Sequence, residues 1–149
     1  MKTFVFSDIH GCYDEFMALF QQLPLQPERD RIVFMGDYID RGPDSKRVIE
    51  QMMTWQAQYP HWVFLTGNHE DMMLDALEND GRFYDAFYHY PNLWLAAAGK
   101  ATCRSYLPAD DQGREISVAL AREVIPAAHR AWCASLPRFF EDDRYIYVH

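Results

Sequence analysis

Three short runs of strand-forming residues, each emptying into a polar loop marked by glycine, constrain this chain more than anything else in it. The first is Thr3-Phe4-Val5-Phe6-Ser7, long enough for a buried strand, and it stops at Asp8-Ile9-His10-Gly11. The period then changes: Phe16, Leu19, Phe20 and Leu23 form the apolar stripe of a helix that starts near Asp14 and ends at Pro24 and Pro27. Arg31-Ile32-Val33-Phe34-Met35 predicts a second buried strand, broken by Gly36-Asp37. Asp44 or Ser45 is placed to cap a helix whose apolar face is Val48, Met52 and Trp55. Trp62-Val63-Phe64-Leu65 predicts a third strand, followed at once by Thr66-Gly67-Asn68-His69. Strand, helix, strand, helix, strand implies a parallel sheet with right-handed crossovers. In such sheets the loops at the carboxyl ends lie side by side and form the ligand crevice.

The second half has weaker signals. Glu70–Leu77 predicts a helix, Phe83–Tyr90 is aromatic without clear period, and the alanines of Leu93–Ala98 favour helix. Val118–Ser135 predicts helix with a break near Pro126, and Arg144–His149 has the pattern of a core strand. There is no internal repeat, and 149 residues fit one domain over the whole chain.

Composition excludes several functions. With 22 Asp+Glu against 14 Lys+Arg the formal charge is −8, so no broad basic surface exists for nucleic acid. The longest apolar stretch, Leu93–Ala98, is far short of the ~20 residues of a membrane span, and Thr3–Ser7 is too short for a secretory core. Cys12, Cys103 and Cys133 are odd in number and widely spaced, which argues against a disulfide framework or zinc ribbon and for reduced thiols. The expectation is a soluble, cytoplasmic protein.

The three strand ends deliver Asp8 and His10, then Asp37, Asp40 and Arg41, then Asn68 and His69. Carboxylate plus imidazole suits manganese, iron or zinc and disfavours a calcium cage. Asp37 has two oxygens and can bridge cations about 3.5–4 Å apart, an arrangement that makes hydroxide available near neutral pH. Asn68 adds a ligand without adding charge.

Asp8-Ile9-His10, Gly36-Asp37-Tyr38-Ile39-Asp40-Arg41-Gly42 and Gly67-Asn68-His69-Glu70 resemble the phosphoprotein phosphatase branch of the calcineurin-like metallophosphoesterases, closest to bacterial and phage (lambda-type) serine/threonine phosphatases. The likeness extends to His10-Gly11-Cys12-Tyr13 and to Leu136-Pro137 through Val148-His149. It implies an α/β metallophosphoesterase sandwich with β sheets flanked by helices, and two divalent ions, manganese first, with iron or zinc as alternatives. By the resemblance Asp8, His10 and Asp37 hold the first ion, and Asp37, Asn68 and His149 contribute to the second. His69 is the general acid, oriented by Asp40, and Arg41 with Asn68 contacts the phosphate. The implied reaction is direct in-line attack of a metal-bound hydroxide on a phosphorylated protein or small phosphoester.

The chain departs from the family in two places. The family has a further histidine ligand and a second phosphate-binding arginine downstream of His149, so the expectation is the N-terminal part of a longer catalytic domain, truncated at its C-terminus. Relatives often have Trp-Leu-x-Asn-Gly-Gly where this chain has Trp94-Leu95-Ala96-Ala97-Ala98-Gly99. Alternative activities are symmetrical diadenosine tetraphosphate hydrolysis, against which Glu70 in place of aspartate speaks modestly, and a non-catalytic module that binds metal or phosphate. Glu70 has a structural reading too, as a carboxylate stabilising the first turn of its helix. His61, His89 and His129 match no motif, and Phe83, Tyr84, Phe87, Tyr88 and Tyr90 suit a cap more than a substrate groove. Met35, Met52, Met53, Met72 and Met73 suit the core.

Overall fold

The computed structural model describes residues 1–149. Strands β1 (Thr3–Phe6), β2 (Arg31–Phe34) and β3 (Val63–Phe64) form a parallel sheet in the order β1-β2-β3. Helix α1 (Tyr13–Gln21) connects the first pair and α2 (Ser45–Gln58) the second. The register sets Phe6 beside Phe34 and Phe34 beside Phe64, so all three chains leave the sheet at one edge.

Alternation along β2 separates two cores, as the period of a strand requires. Ile32 and Phe34 enter the large core beneath the helices, where Phe34 stacks on Phe64 and Trp55 at 5.0 and 5.9 Å. Val33 points the other way, into a small core with Leu65 and Tyr147. That second face is covered by an antiparallel hairpin, β4 (Phe139–Glu141) and β5 (Ile146–Val148), which the sequence reading had only in its second strand. Arg31 ties the hairpin to the sheet through Asp142 at 3.1 Å.

Four expectations need correction. Leu19 faces solvent, and the buried stripe of α1 is Tyr13, Phe16, Met17 and Phe20, an equally good helical spacing. Strand β1 is an edge strand with Val5 exposed rather than a buried one. Strand β5 is not a core strand: only Tyr147 is buried, while Ile146 and Val148 are exposed. Asp44 stands at the N-cap of α2 without capping it, and its carboxylate meets Arg47 instead.

Helix α3 (Asn68–Glu78) begins directly at the third polar loop. A short helix α4 (Tyr84–Tyr88) follows, with Phe83, Phe87, Tyr88 and Tyr90 exposed. Leu95–Gly99 forms a single π-helical turn leading into α5 (Lys100–Tyr106). Pro126 divides α6 (Val118–Val124) from α7 (Ala127–Ser135). Met52, Met72 and Met73 are buried, with Met53 packed against the large core and Met35 against the small one. All three cysteines are free thiols. No helix is long and apolar enough to cross a membrane.

Candidate active site

The loops leaving β1, β2 and β3 meet backbone to backbone. The first is sewn to the second by Asp8 N–H to Gly36 C=O, His10 N–H to Asp37 C=O and Gly11 N–H to Tyr38 C=O, at 3.2, 3.0 and 2.8 Å. A β-carbon on Gly36 would lie 2.3 Å from Gly67 N, and one on Gly67 would lie 2.1 Å from Asp37 Oδ1. Those two glycines let the second and third loops touch, and His69 N–H reaches Asp37 Oδ1 at 3.1 Å.

This convergence forces unusual backbone. Asp8, His10, Asp37, Asp40 and Arg41 all have positive φ, between 47° and 74°. Each such residue costs about 1–2 kcal/mol in an L-amino acid, although aspartate tolerates the region better than most. Nothing in residue type alone foretells that five neighbouring functional candidates share it.

Glu70 is the clamp between the second and third loops. It is fully buried, and its carboxylate accepts the N–H groups of Asp37 and Gly67 at Oε2 and of Tyr38 and Ile39 at Oε1, at 2.9, 2.9, 2.9 and 3.3 Å. Burial raises its pKa to about 7, against the pull of those donors. The macrodipole reading of Glu70 is therefore incomplete, since its main partners lie more than thirty residues away.

Asp40 is also fully buried. Its carboxylate accepts Trp94 Nε1–H at 3.0 Å and the Thr102 hydroxyl at 2.5 Å, and it holds His69 Nδ1 at 2.7 Å. Its own N–H is shared between Ser45 Oγ and Thr102 Oγ1. Burial works against the charged His69 ring, but the Asp40 carboxylate outweighs it and the imidazole pKa is raised. Trp94 and Thr102 are supporting residues that sequence reasoning missed, Trp94 having only the signal of its place at the start of the divergent Trp94–Gly99 segment, while Glu70 and Ser45 were singled out for helix-terminus roles and not for these contacts.

Asp37 Oδ2 is the centre of the cluster, 3.6 Å from His10 Nε2, 4.0 Å from His69 Nε2 and 3.3 Å from His149 Nε2. Asp8 Oδ1 lies 3.6 Å from His10 Nε2, and Asn68 Oδ1 lies 3.0 Å from His149 Nε2. Two donor groups result, His10–Asp37–His69 and Asp8–Asp37–His149, joined at Asp37. Arg41 stands apart from them, exposed, on the wall of a neighbouring cleft. His61 and His89 are exposed and outside the cluster, while His129 is buried beside Tyr106.

Whether a cation belongs here is tested by two histidines. His10 bonds Ile39 C=O through Nδ1 at 2.8 Å, so the ring proton sits there and Nε2 presents its lone pair. That Nε2 is buried without a hydrogen-bond partner and faces two carboxylates. His149 repeats the pattern, with Nδ1 on Met35 C=O at 2.8 Å and Nε2 facing Asn68 Oδ1 and Asp37 Oδ2. Lone pairs aimed at lone pairs become favourable only around positive charge. Backbone-anchored imidazoles are also how metal-binding histidines are usually oriented. The residues fit metal ions.

The family model for calcineurin-like phosphoesterases matches residues 1–130. This chain belongs to the calcineurin-like phosphoesterase family. Within it, the chain is 38% identical over 81 residues to serine/threonine-protein phosphatase 2 of Salmonella typhimurium, covering 54% of this chain and 35% of that one. It is 29% identical over 126 residues to the symmetrical bis(5'-nucleosyl)-tetraphosphatase of Buchnera aphidicola, covering 78% of this chain and 43% of that one. The crystal structure of a metallophosphoesterase from Sphaerobacter thermophilus superposes with a TM-score of 0.58 at 15% identity, covering 97% of this chain and 44% of that one. The chain thus spans less than half the length of each of these three proteins.

Proposed function

We propose that this chain acts in the hydrolysis of phosphoesters with two divalent ions, on phosphoserine or phosphothreonine in proteins as the first reading. The observation that carries the proposal is Asp37, whose Oδ2 lies 3.6 Å from His10 Nε2, itself beside Asp8, and 3.3 Å from His149 Nε2, itself beside Asn68. Asp8, His10 and Asp37 would hold one ion, and Asp37, Asn68 and His149 the other. Bound ions supply Lewis acidity that lowers the pKa of a water and screens the phosphate charge. His69 would give its Nε2 proton to the leaving oxygen while Asp40 keeps the ring oriented through Nδ1. Arg41 would grip phosphate oxygens as a planar fork, with Asn68 as a neutral second contact. Mixed oxygen and nitrogen donors support manganese, with iron or zinc as alternatives. Three free thiols suit a cytoplasmic location.

A second reading, hydrolysis of symmetrical dinucleoside tetraphosphates, is supported by the longer alignment, 126 residues against 81. The test is p-nitrophenyl phosphate turnover by this chain with and without Mn²⁺, beside Asp37→Asn, with Mn²⁺ binding followed by calorimetry. Mn²⁺-dependent turnover lost together with Mn²⁺ affinity in Asp37→Asn is expected. A folded wild-type chain that binds Mn²⁺ but turns nothing over makes this a binding module, and one that binds no Mn²⁺ overturns the metal site. A phosphothreonine peptide against diadenosine tetraphosphate then separates the two substrates.

A further inference from the structure

Beside the cluster lies an open cleft of about 460 Å³ whose walls include Arg41 and Pro43 on the second loop and Arg104, Ser105 and Gln112 around α5. The chain carries a net charge of −8, and six of its arginines are paired with carboxylates: Arg31, Arg47, Arg114, Arg122, Arg130 and Arg138. Arg29, Arg41, Arg82, Arg104 and Arg144 form no such pair, and of these five Arg41 and Arg104 line this one cleft. The one carboxylate on its wall, Asp44, is engaged by Arg47 at 3.4 Å. Arg104 spends one N–H on Gln112 C=O at 2.6 Å, and Gln112 returns its amide to Arg104 C=O. That exchange fixes the stem and leaves most of the guanidinium's five donors unassigned.

We infer that Arg104 is a specificity residue that holds a second phosphoryl group adjoining the one being cleaved, so that the cleft takes an oligophosphate chain. The inference rests on the hydrolase reading only in placing the reacting phosphate beside Arg41. Two guanidiniums without carboxylate partners on one cleft wall offer the donors that two neighbouring phosphoryl groups of a phosphoanhydride chain would take. A simple phosphomonoester would use Arg41 alone. The cleft is also roomy enough for groups beyond a single phosphate. This assignment deepens the second reading, in which the substrate carries an oligophosphate chain.

The test compares ligands that share a nucleoside and differ only in phosphate number. Binding of AMP and of adenosine 5′-(β,γ-methylene)triphosphate, with excess Mg²⁺, is measured by calorimetry on wild type, Arg104→Ala, Arg104→Gln and Arg104→Lys. Wild type is expected to bind the triphosphate analogue at least tenfold tighter than AMP. Arg104→Ala and Arg104→Gln should remove most of that preference, a loss on the order of ten- to hundredfold for one charge-assisted contact. Arg104→Gln keeps a donor for Gln112 C=O, so a purely structural role of Arg104 predicts that it behaves as wild type. Arg104→Lys should restore part of the preference. In turnover, Arg104→Ala should lose at least tenfold more kcat/KM on diadenosine tetraphosphate than on p-nitrophenyl phosphate. No preference in wild type, or the same preference in Arg104→Ala, overturns the inference. Failure of the hydrolase reading shows separately, as absence of Mn²⁺-dependent p-nitrophenyl phosphate turnover, and leaves the binding result readable.

Discussion

Replacing Glu70 by glutamine changes one atom for another of nearly equal size, yet the structure gives it a large cost. Both carboxylate oxygens are saturated by backbone donors, Asp37 and Gly67 on one side and Tyr38 and Ile39 on the other. Glutamine can keep one side. Its amide nitrogen must then face the two N–H groups of the other, leaving two buried donors unpaired with a like group pressed against them. An orphaned buried donor costs about 1–3 kcal/mol, so the loss is about 2–6 kcal/mol. Against a total stability of about 5–15 kcal/mol, that is a serious fraction. In a chain of this length 1 kcal/mol moves the melting temperature by about 2–4 °C, which places the expected drop at roughly 4–24 °C. The assay is thermal and urea unfolding by circular dichroism at pH 8, above the value near 7 to which burial raises this carboxyl. The donors link the loop that carries Asp37 to the loop that carries Asn68, so Mn²⁺ affinity should fall with stability. A Glu70→Gln protein that melts within 2 °C of wild type would falsify the clamp and return Glu70 to the role of a helix-terminus charge.

His69→Asn should retain Mn²⁺ and slow alkyl phosphates by about 10²–10⁴, with a much smaller loss on p-nitrophenyl phosphate, whose leaving group needs little protonation; equal losses on both would remove the acid role. Gly36→Ala should unfold the chain or abolish Mn²⁺ binding, because its β-carbon meets Gly67 backbone at 2.3 Å in a left-handed conformation; a stable variant with wild-type Mn²⁺ affinity would contradict the loop contact. His129 is buried with its Nδ1 hydrogen-bonded to the Tyr106 hydroxyl at 2.9 Å, and burial lowers its pKa below the ordinary 6.5. Its contribution to stability is complete above pH 6.5 and is lost as the pH falls through the lowered value. The stability advantage of wild type over His129→Phe should therefore shrink between pH 7.5 and 5, as read by urea unfolding; an advantage independent of pH would count against it.

The parallel sheet was legible because β1, β2 and β3 each end on a glycine or acidic break that a short apolar run cannot hide. Asp8, His10, Asp37, Asp40, Asn68 and His69 were legible as a group for the same reason: the topology brings the ends of these strands together. What the pattern could not supply was the support behind them. Trp94 and Thr102 reach Asp40 from the least periodic stretch of the chain, across separations of 54 and 62 residues. A buried tryptophan looks like core until its Nε1–H is seen to have a carboxylate as its partner. Leu19 misled because 16, 19, 20 and 23 and 13, 16, 17 and 20 are equally good helical stripes, and only the tertiary packing chooses between them. Strand β4 was missed because three residues do not establish an alternation.

The left-handed residues and the acceptor-rich cluster have one physical origin. A carboxylate on regular strand backbone points to one face of the sheet, and its neighbour points to the other. To aim Asp8 and His10, and then Asp37, Asp40 and the following Arg41, out of the carboxyl edge, the chain must leave extended geometry within one residue of the strand's last hydrogen bond. Left-handed φ does that, and the first loop pairs N–H groups of Asp8, His10 and Gly11 with C=O groups of the second, while the third is joined to the second through the Asp37 and Glu70 carboxylates. The strain amounts to several kcal/mol over five residues at about 1–2 kcal/mol each. Repulsion among Asp8, Asp37 and the lone pairs of His10 and His149 adds to it. A fold that bears both costs in one place should gain more stability from divalent ions than its surface charge alone accounts for, since a cation at Asp37 relieves the repulsion that the backbone was strained to create.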